Sequence, residues 1–304
     1  MSPLRSIVRS WPVTWIARVA TAVRWSLRLL LLFLVVDLFY LAVTWPNWQR
    51  LATGPIPKTA FMQEYASDNA KNGRPAAIRW QPVALSTIPK YMQRAVIVAE
   101  DSRFYEHSGF DLIAFKEAMD YNLSEGRLAV GASTISQQTV KNLFLSSSRT
   151  PLRKWHELIL TWGMERHLSK RRILEIYLNI VEFGAGVYGV QAASQVYWGL
   201  PISRIGARQA AELSATLPSP LKNNPLTRTP QFEKRAGKIL RLLLRYPGDA
   251  AEALAERDSE PRDDYDSVDA AQDDLECIDE DCSTTAGPAP DGDVTEDDAA
   301  GADE

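Results

Sequence analysis

Apolar positions fall along the chain in three regimes. From Ser26 to Trp45 they run almost unbroken, as L-R-L-L-L-L-F-L-V-V-D-L-F-Y-L-A-V-T-W after the serine. This is long enough to cross a bilayer, for which ~20 residues suffice. Between residues 46 and 74 the pattern dissolves, and Pro46, Gly54, Pro55 and Pro57 predict a stiff, irregular linker. From Pro75 to Pro247 the spacing turns helical, with few alternating runs. It predicts about eight helices in a single mainly α domain of ordinary size. Helix starts are marked by Ser133 before S-T-I-S-Q-Q, by Thr150-Pro151 and by Thr229-Pro230, each a capping residue near a helical run.

Within this domain three segments depart from a plain core pattern. In V-I-V-A-E-D-S-R-F-Y-E-H-S-G, starting at Val96, a helix sets Glu100 on the face of Val96, Ile97 and Phe104. A carboxylate there is costly unless it is used. Burial should raise its affinity for protons, with Arg103 opposing. In P-L-R-K-W-H-E-L-I-L-T-W, a helix opened by Pro151 predicts a buried stripe of Leu152, Trp155, Ile159 and Trp162, with Arg153, Lys154 and Glu157 opposite. Cations in a first turn are disfavoured by the helix dipole, yet together with free N–H groups they suit an anion. An exposed Arg153–Glu157 pair reads equally well. In G-A-S-T-I-S-Q-Q-T-V-K-N, Thr134, Gln138 and Lys141 fall on one face, a row suited to sugar hydroxyls and phosphate, although a solvated face looks alike.

Charge changes the picture at both ends. The net charge of −4 conceals 32 Lys/Arg against 16 Asp/Glu up to Gly248, and 2 against 22 from Asp249 onward. Residues 248–304 have too few apolar positions to bury and are expected to stay unfolded. Cys277 and Cys282 lie there without a nearby histidine and are assigned no chemistry. Before Asp37 there is no acid, whereas Arg5, Arg9, Arg18, Arg24 and Arg28 precede or enter the apolar run. That bias places residues 1–25 in the cytoplasm and the bulk of the chain outside. A cleaved signal peptide is the rival, but the basic lead-in is long and no clear small-x-small site follows. Asp37, in mid-span, either meets a partner helix or is simply tolerated.

Four segments, taken in order, resemble the signature motifs of the family 51 peptidoglycan glycosyltransferases. They are E-D-S-R-F-Y-E-H-S-G from Glu100, G-A-S-T-I-S-Q-Q-T-V-K-N from Gly131, R-K-W-H-E from Arg153, and S-K-R-R-I-L-E-I-Y-L-N-I-V-E-F-G-A-G-V-Y-G-V-Q-A-A-S from Ser169. The resemblance covers most of residues 75–225 and is closest to the monofunctional members. Ser219-Pro-Leu-Lys222 fits the S-x-x-K of a transpeptidase, but no S-x-N or K-T-G follows it.

The resemblance implies a lysozyme-like helical domain with a smaller jaw that contacts the membrane, to which the apolar residues of F-D-L-I-A-F-K-E-A-M from Phe110 are suited. It implies that Glu100 is a general base toward the sugar hydroxyl of lipid II. Glu157 would assist the leaving pyrophosphate of a lipid-linked glycan strand, directly or through a divalent cation such as Mg or Mn. Lys141, Arg149, Arg153 and Lys154 would neutralise the charge that develops. Asp101, Phe104, His107, Ser133, Thr134, Gln138 and Asn142 would shape the cleft, with His107 orienting Asp101 or its loop. Glu175, Tyr177, Asn179 and Glu182 would support it, and Gly184, Gly186 and Gly189 would allow tight backbone approach. No organic cofactor and no nucleic acid is expected; partners would be the membrane, the lipid substrates and other wall-synthesis or division proteins. A lysozyme-like hydrolase using Glu100 as an acid, and a non-catalytic scaffold, are the competing readings.

Overall fold

In the computed structural model, residues 13–126 and 131–245 are described. Arg5, Arg9, the acidic tail with its two cysteines, and the expectation that the tail is unfolded all lie outside the described residues. The protein is mainly α. Helix α1 spans Val13–Val43, α2 Trp48–Thr53, α3 Ala60–Lys71, α4 Lys90–Glu100, α5 Leu112–Ser124 and α6 Ile135–Phe144. They are followed by α7 Pro151–His167, α8 Lys170–Ile180, α9 Val190–Trp198, α10 Ala207–Thr216 and α11 Pro230–Arg245. Eight α-helices therefore follow Pro75 among the described residues, as the spacing predicts. Three short strands, β1 Arg79–Trp80, β2 Glu182–Gly184 and β3 Val187–Tyr188, form one sheet in the order β1-β3-β2. β2 and β3 are antiparallel, while β1 pairs in parallel with β3, with Arg79 opposite Val187.

The core is a single cluster. Met92 and Val96 of α4, Ile135 and Val140 of α6, Met164 of α7, Ile173 and Tyr177 of α8, Leu213 of α10 and Phe232 of α11 are fully buried in it. Helix α11 reaches it through Phe232, Ala236, Ile239 and Leu243, an i, i+4, i+7, i+11 stripe. Its start follows the expected cap, with the Thr229 hydroxyl accepting from Phe232 N–H at 3.2 Å.

Two expectations are corrected. Residues 46–74 hold helices α2 and α3, with Asn47 and Thr59 capping them and Trp48, Leu51 and Met62 buried. Each helix is short and offers few apolar positions, so no period emerges from the sequence alone. The stripe on α7 is the other correction: Leu152 is 40% exposed, Trp155 44% and Trp162 49%, whereas Glu157, Leu160, Thr161 and Met164 are buried. Periodicity finds an apolar face but does not say what covers it.

Arg18–Val43 is long and apolar enough to cross a membrane. Most of its large side chains, such as Leu29, Leu31 and Phe39, are exposed, while Asp37 and Leu41 are buried against the body. Helix α5 is likewise exposed along its apolar positions, with Leu112 and Leu123 about three-quarters accessible.

Candidate active site

Glu100 is the last residue of α4, because Asp101 leaves helical geometry with φ −168° and ψ 75°. Val96, Ile97 and Phe104 are buried as the face pattern requires. The Glu100 carboxylate accepts from Gln138 Nε2 at 2.9 Å and from Arg235 Nη2 at 3.0 Å. Burial pushes its proton affinity above that of an ordinary glutamate; Gln138, then Arg235 and Lys141, oppose the shift. The cation expected to oppose it was Arg103, but this guanidinium turns away and its Nε donates to Asp111 Oδ2 at 3.0 Å. Arg235, from the far end of the domain, takes that place.

Asp101 ties the site to α6. Its Oδ2 accepts from Ile135 N–H at 2.9 Å, and His107 Nε2 lies 3.0 Å from its Oδ1. Gly109 N–H donates to His107 Nδ1, which leaves Nε2 as the donor to Asp101. His107 thus holds Asp101, the contact its orienting role requires. Gly109 itself has φ +93°, and a side chain there would meet Thr161 and Glu165 at 2.9 Å.

Helix α6 is capped by Thr134 rather than Ser133. The Thr134 hydroxyl accepts from Gln137 N–H, and Gln137 Oε1 accepts from Thr134 N–H, a capping box. Thr134 also donates to Gly109 O at 2.8 Å, so this hydroxyl is engaged within the fold. Gln138 is held at both ends, giving its N–H to Glu100 and accepting from Tyr177 O–H at 2.9 Å. The predicted row of Thr134, Gln138 and Lys141 is therefore largely an internal network, and Tyr177 belongs to it. Asn142 and Phe104 are buried, Phe104 completely, with Lys170 over its ring at 4.6 Å. Ser133 and Arg149 are exposed.

Thr150 caps α7 with Pro151 at its start. In the turn that follows, Arg153 and Lys154 both donate to Glu157, whose side chain is only 3% exposed. Lys141 links this group to Glu100. Burial lowers the proton affinity of its ammonium, Glu157 raises it, Arg153 and Lys154 lower it, and Glu100 raises it. Both carboxylates and both first-turn cations therefore act on one half-buried ammonium.

The fourth motif forms a brace. Glu175 accepts from Leu85 N–H at 3.0 Å and from Arg172 Nη1 at 2.7 Å. The Asn179 side chain accepts from Val83 N–H and donates to Val83 O. Burial raises the pKa of Glu182 to about 7. Gly189 has φ +78°, with Asn179 O only 2.5 Å from where a Cβ would stand.

Among the described residues, Asp101, His107 and Asp111 place ligand atoms within 4.8 Å of one another, a group that could hold a metal ion. It excludes Glu157, the residue expected to act either directly or through a cation. Its oxygens are already engaged: Asp101 by His107 and Ile135 N–H, Asp111 by Arg103 and two N–H groups of α5. A cation there would have to displace a guanidinium and a helix cap, so the residues fit a metal poorly.

Residues 70–243 match the family profile described as Transglycosylase. A biosynthetic peptidoglycan transglycosylase of Nitrosospira multiformis is 40% identical over 217 residues, covering 71% of this chain and 94% of the relative. One of Laribacter hongkongensis is 42% identical over 207 residues, covering 68% and 86%. One of Burkholderia orbicola is 44% identical over 188 residues, covering 62% and 75%. The chain belongs to the transglycosylase family and is a peptidoglycan glycosyltransferase.

Proposed function

We propose that the protein polymerises lipid II into β-1,4-linked glycan strands with inversion at the N-acetylmuramic acid anomeric carbon. Glu100 takes the proton from the 4-hydroxyl of the acceptor N-acetylglucosamine. That oxygen bonds to the anomeric carbon of the donor strand as the bond to the pyrophosphate oxygen breaks, and undecaprenyl pyrophosphate leaves with the electron pair. Lys141, Arg149, Arg153 and Lys154 offset its charge, and Glu157, paired with the last two, assists the departure of the pyrophosphate. The observation that supports one site rather than two is helix α6, which gives Gln138 to Glu100 and packs against α7, the helix that carries Glu157. Burial of Glu100 favours a base, since it raises the carboxylate toward the working pH. Clustered cations suit a phosphate-linked donor and disfavour hydrolysis of a finished strand, which has no phosphate at the scissile bond.

In this reading residues 75–247 form the catalytic domain, residues 26–45 are a single membrane pass, the N-terminus is cytoplasmic and the domain is periplasmic. The exposed apolar face of α5 is the jaw that enters the outer leaflet. A requirement for Mg or Mn is measured by activity in EDTA with each metal restored.

Incubation of the full-length protein with lipid II, with products resolved on a gel, tests the reading. Polymer is expected from the wild type, and Glu100→Gln and Glu157→Gln should each lower the rate about 10²- to 10⁴-fold. Cleavage of finished strands without polymer, or normal activity in either variant, refutes it.

A further inference from the structure

Asp37 interrupts the apolar run of α1 from Leu29 to Val43, and its neighbours Val36 and Leu38 are more than half exposed, yet Asp37 itself is 7% exposed. Its carboxylate is divided between two consecutive residues of α7. His156 Nε2 lies 2.7 Å from Oδ1, and Trp155 Nε1–H donates to Oδ2 at 3.2 Å. Tyr40, on the same side of α1, stacks on the His156 ring at 5.8 Å and 28°. The contacts continue in step. Trp45 packs against Gly163, where a Cβ would stand 2.8 Å from the indole, and Trp48 stacks on His167 at 6.2 Å. The two segments therefore run in the same direction, with the polar clasp at the end where α7 begins.

Trp155 and His156 directly precede Glu157, and Arg153 and Lys154 occupy the same turn. A carboxylate in a membrane helix is unfavourable unless it is paired, and here both of its oxygens have a partner on α7. Packing alone would let α1 rotate or slide, because Leu and Val side chains have no preferred partner in lipid. A directional contact to two adjacent residues removes that freedom. We propose that Asp37 is a positioning residue for the reaction: through His156 and Trp155 it fixes the first two turns of α7, and with them Glu157, Arg153 and Lys154, against the membrane helix. The membrane segment is then part of the catalytic framework as well as its anchor. This rests on Glu157 acting at the leaving group, as proposed above.

The test uses the full-length chain in nanodiscs with lipid II as substrate, reading kcat and KM separately. Asp37→Leu should lower kcat about ten- to a hundredfold, the range that a small misplacement of catalytic groups produces, with KM changed less than about threefold. Asp37→Asn keeps an acceptor for Trp155 and a polar partner for His156 and should restore kcat to within about threefold of wild type. Asp37→Leu combined with His156→Leu should be no slower than the slower single variant, since both remove one interaction. A tether alone would leave kcat per nanodisc-bound enzyme unchanged. Normal kcat in Asp37→Leu, equal losses in the Leu and Asn variants, or multiplicative losses in the double variant each overturn the proposal. Where Asp37→Leu does not accumulate, Trp155→Phe removes one hydrogen bond at similar bulk; a reduced kcat supports the clasp and a wild-type kcat overturns it. If Glu157→Gln is inactive while Asp37→Leu is normal, only the clasp fails. If Glu157→Gln is active, the underlying site reading fails.

Discussion

At the scale of single residues, the site turns on how one buried acid is tuned. Burial lifts the Glu100 carboxyl, and Gln138, Arg235 and Lys141 bring it part of the way back. In its proposed role as base Glu100 must be unprotonated, so the rate should fall as the pH drops through this raised value. Removing Arg235 takes away a cation that favours the charged form. Arg235→Leu should therefore move the acid limb of the pH profile of kcat/KM to higher pH, and Arg235→Lys should move it less. An unshifted limb in Arg235→Leu would mean that the guanidinium does not tune this group. Glu100 was legible in the sequence because a carboxylate on an apolar helical face is an anomaly. Arg235 was not, because in α11 it is one basic residue among several on an amphipathic helix, and only the packing of α11 and α10 against α4 brings it to Glu100.

At the scale of elements, local chemistry was read more reliably than the surroundings. Thr150-Pro151 and Thr229-Pro230 open α7 and α11 as their residue types require. The start of α6 was misplaced by one residue, because Ser133 and Thr134 are both good caps and the choice between them lies with Gln137, which stands three residues after Thr134 and completes its capping box. Thr134→Ala removes that cap together with the bond to Gly109 O. It should destabilise the protein by about 1 kcal/mol or more, lowering the melting temperature of the detergent-solubilised enzyme by about 2–4 °C. Ser133→Ala should leave the melting temperature unchanged. The exposed stripe of α7 shows the converse limit: Leu152, Trp155 and Trp162 spell out a buried face by their spacing, yet the body packs on the side of Glu157, Leu160 and Met164.

At the scale of the whole molecule, apolar surface is concentrated on α1 and α5. Leu112, Ile113, Phe115, Met119 and Leu123 are all exposed, and Ala118 is the buried residue of that helix. An uncovered apolar helix in a chain that carries a candidate membrane span favours the interface, since burial in the acyl boundary removes that area from water. Replacing Phe115 and Leu123 together by Glu should raise the KM for lipid II and loosen α5 from lipid. Quenching of a fluorophore on α5 by spin-labelled lipids reports the second effect. Unchanged quenching would place this face in water instead of lipid.

The contact between Arg235 and Glu100 also bears on the order in which the protein is made. A ribosome releases α4 long before α11, so Glu100 waits in the nascent chain while the guanidinium that completes the pair is still awaiting synthesis. Until α11 docks, that carboxyl lacks both the hydrogen bond from Arg235 and the packing of α11 against α4. The pair is thereby completed only with the finished domain, and a chain stalled before residue 235 would leave Glu100 without this partner.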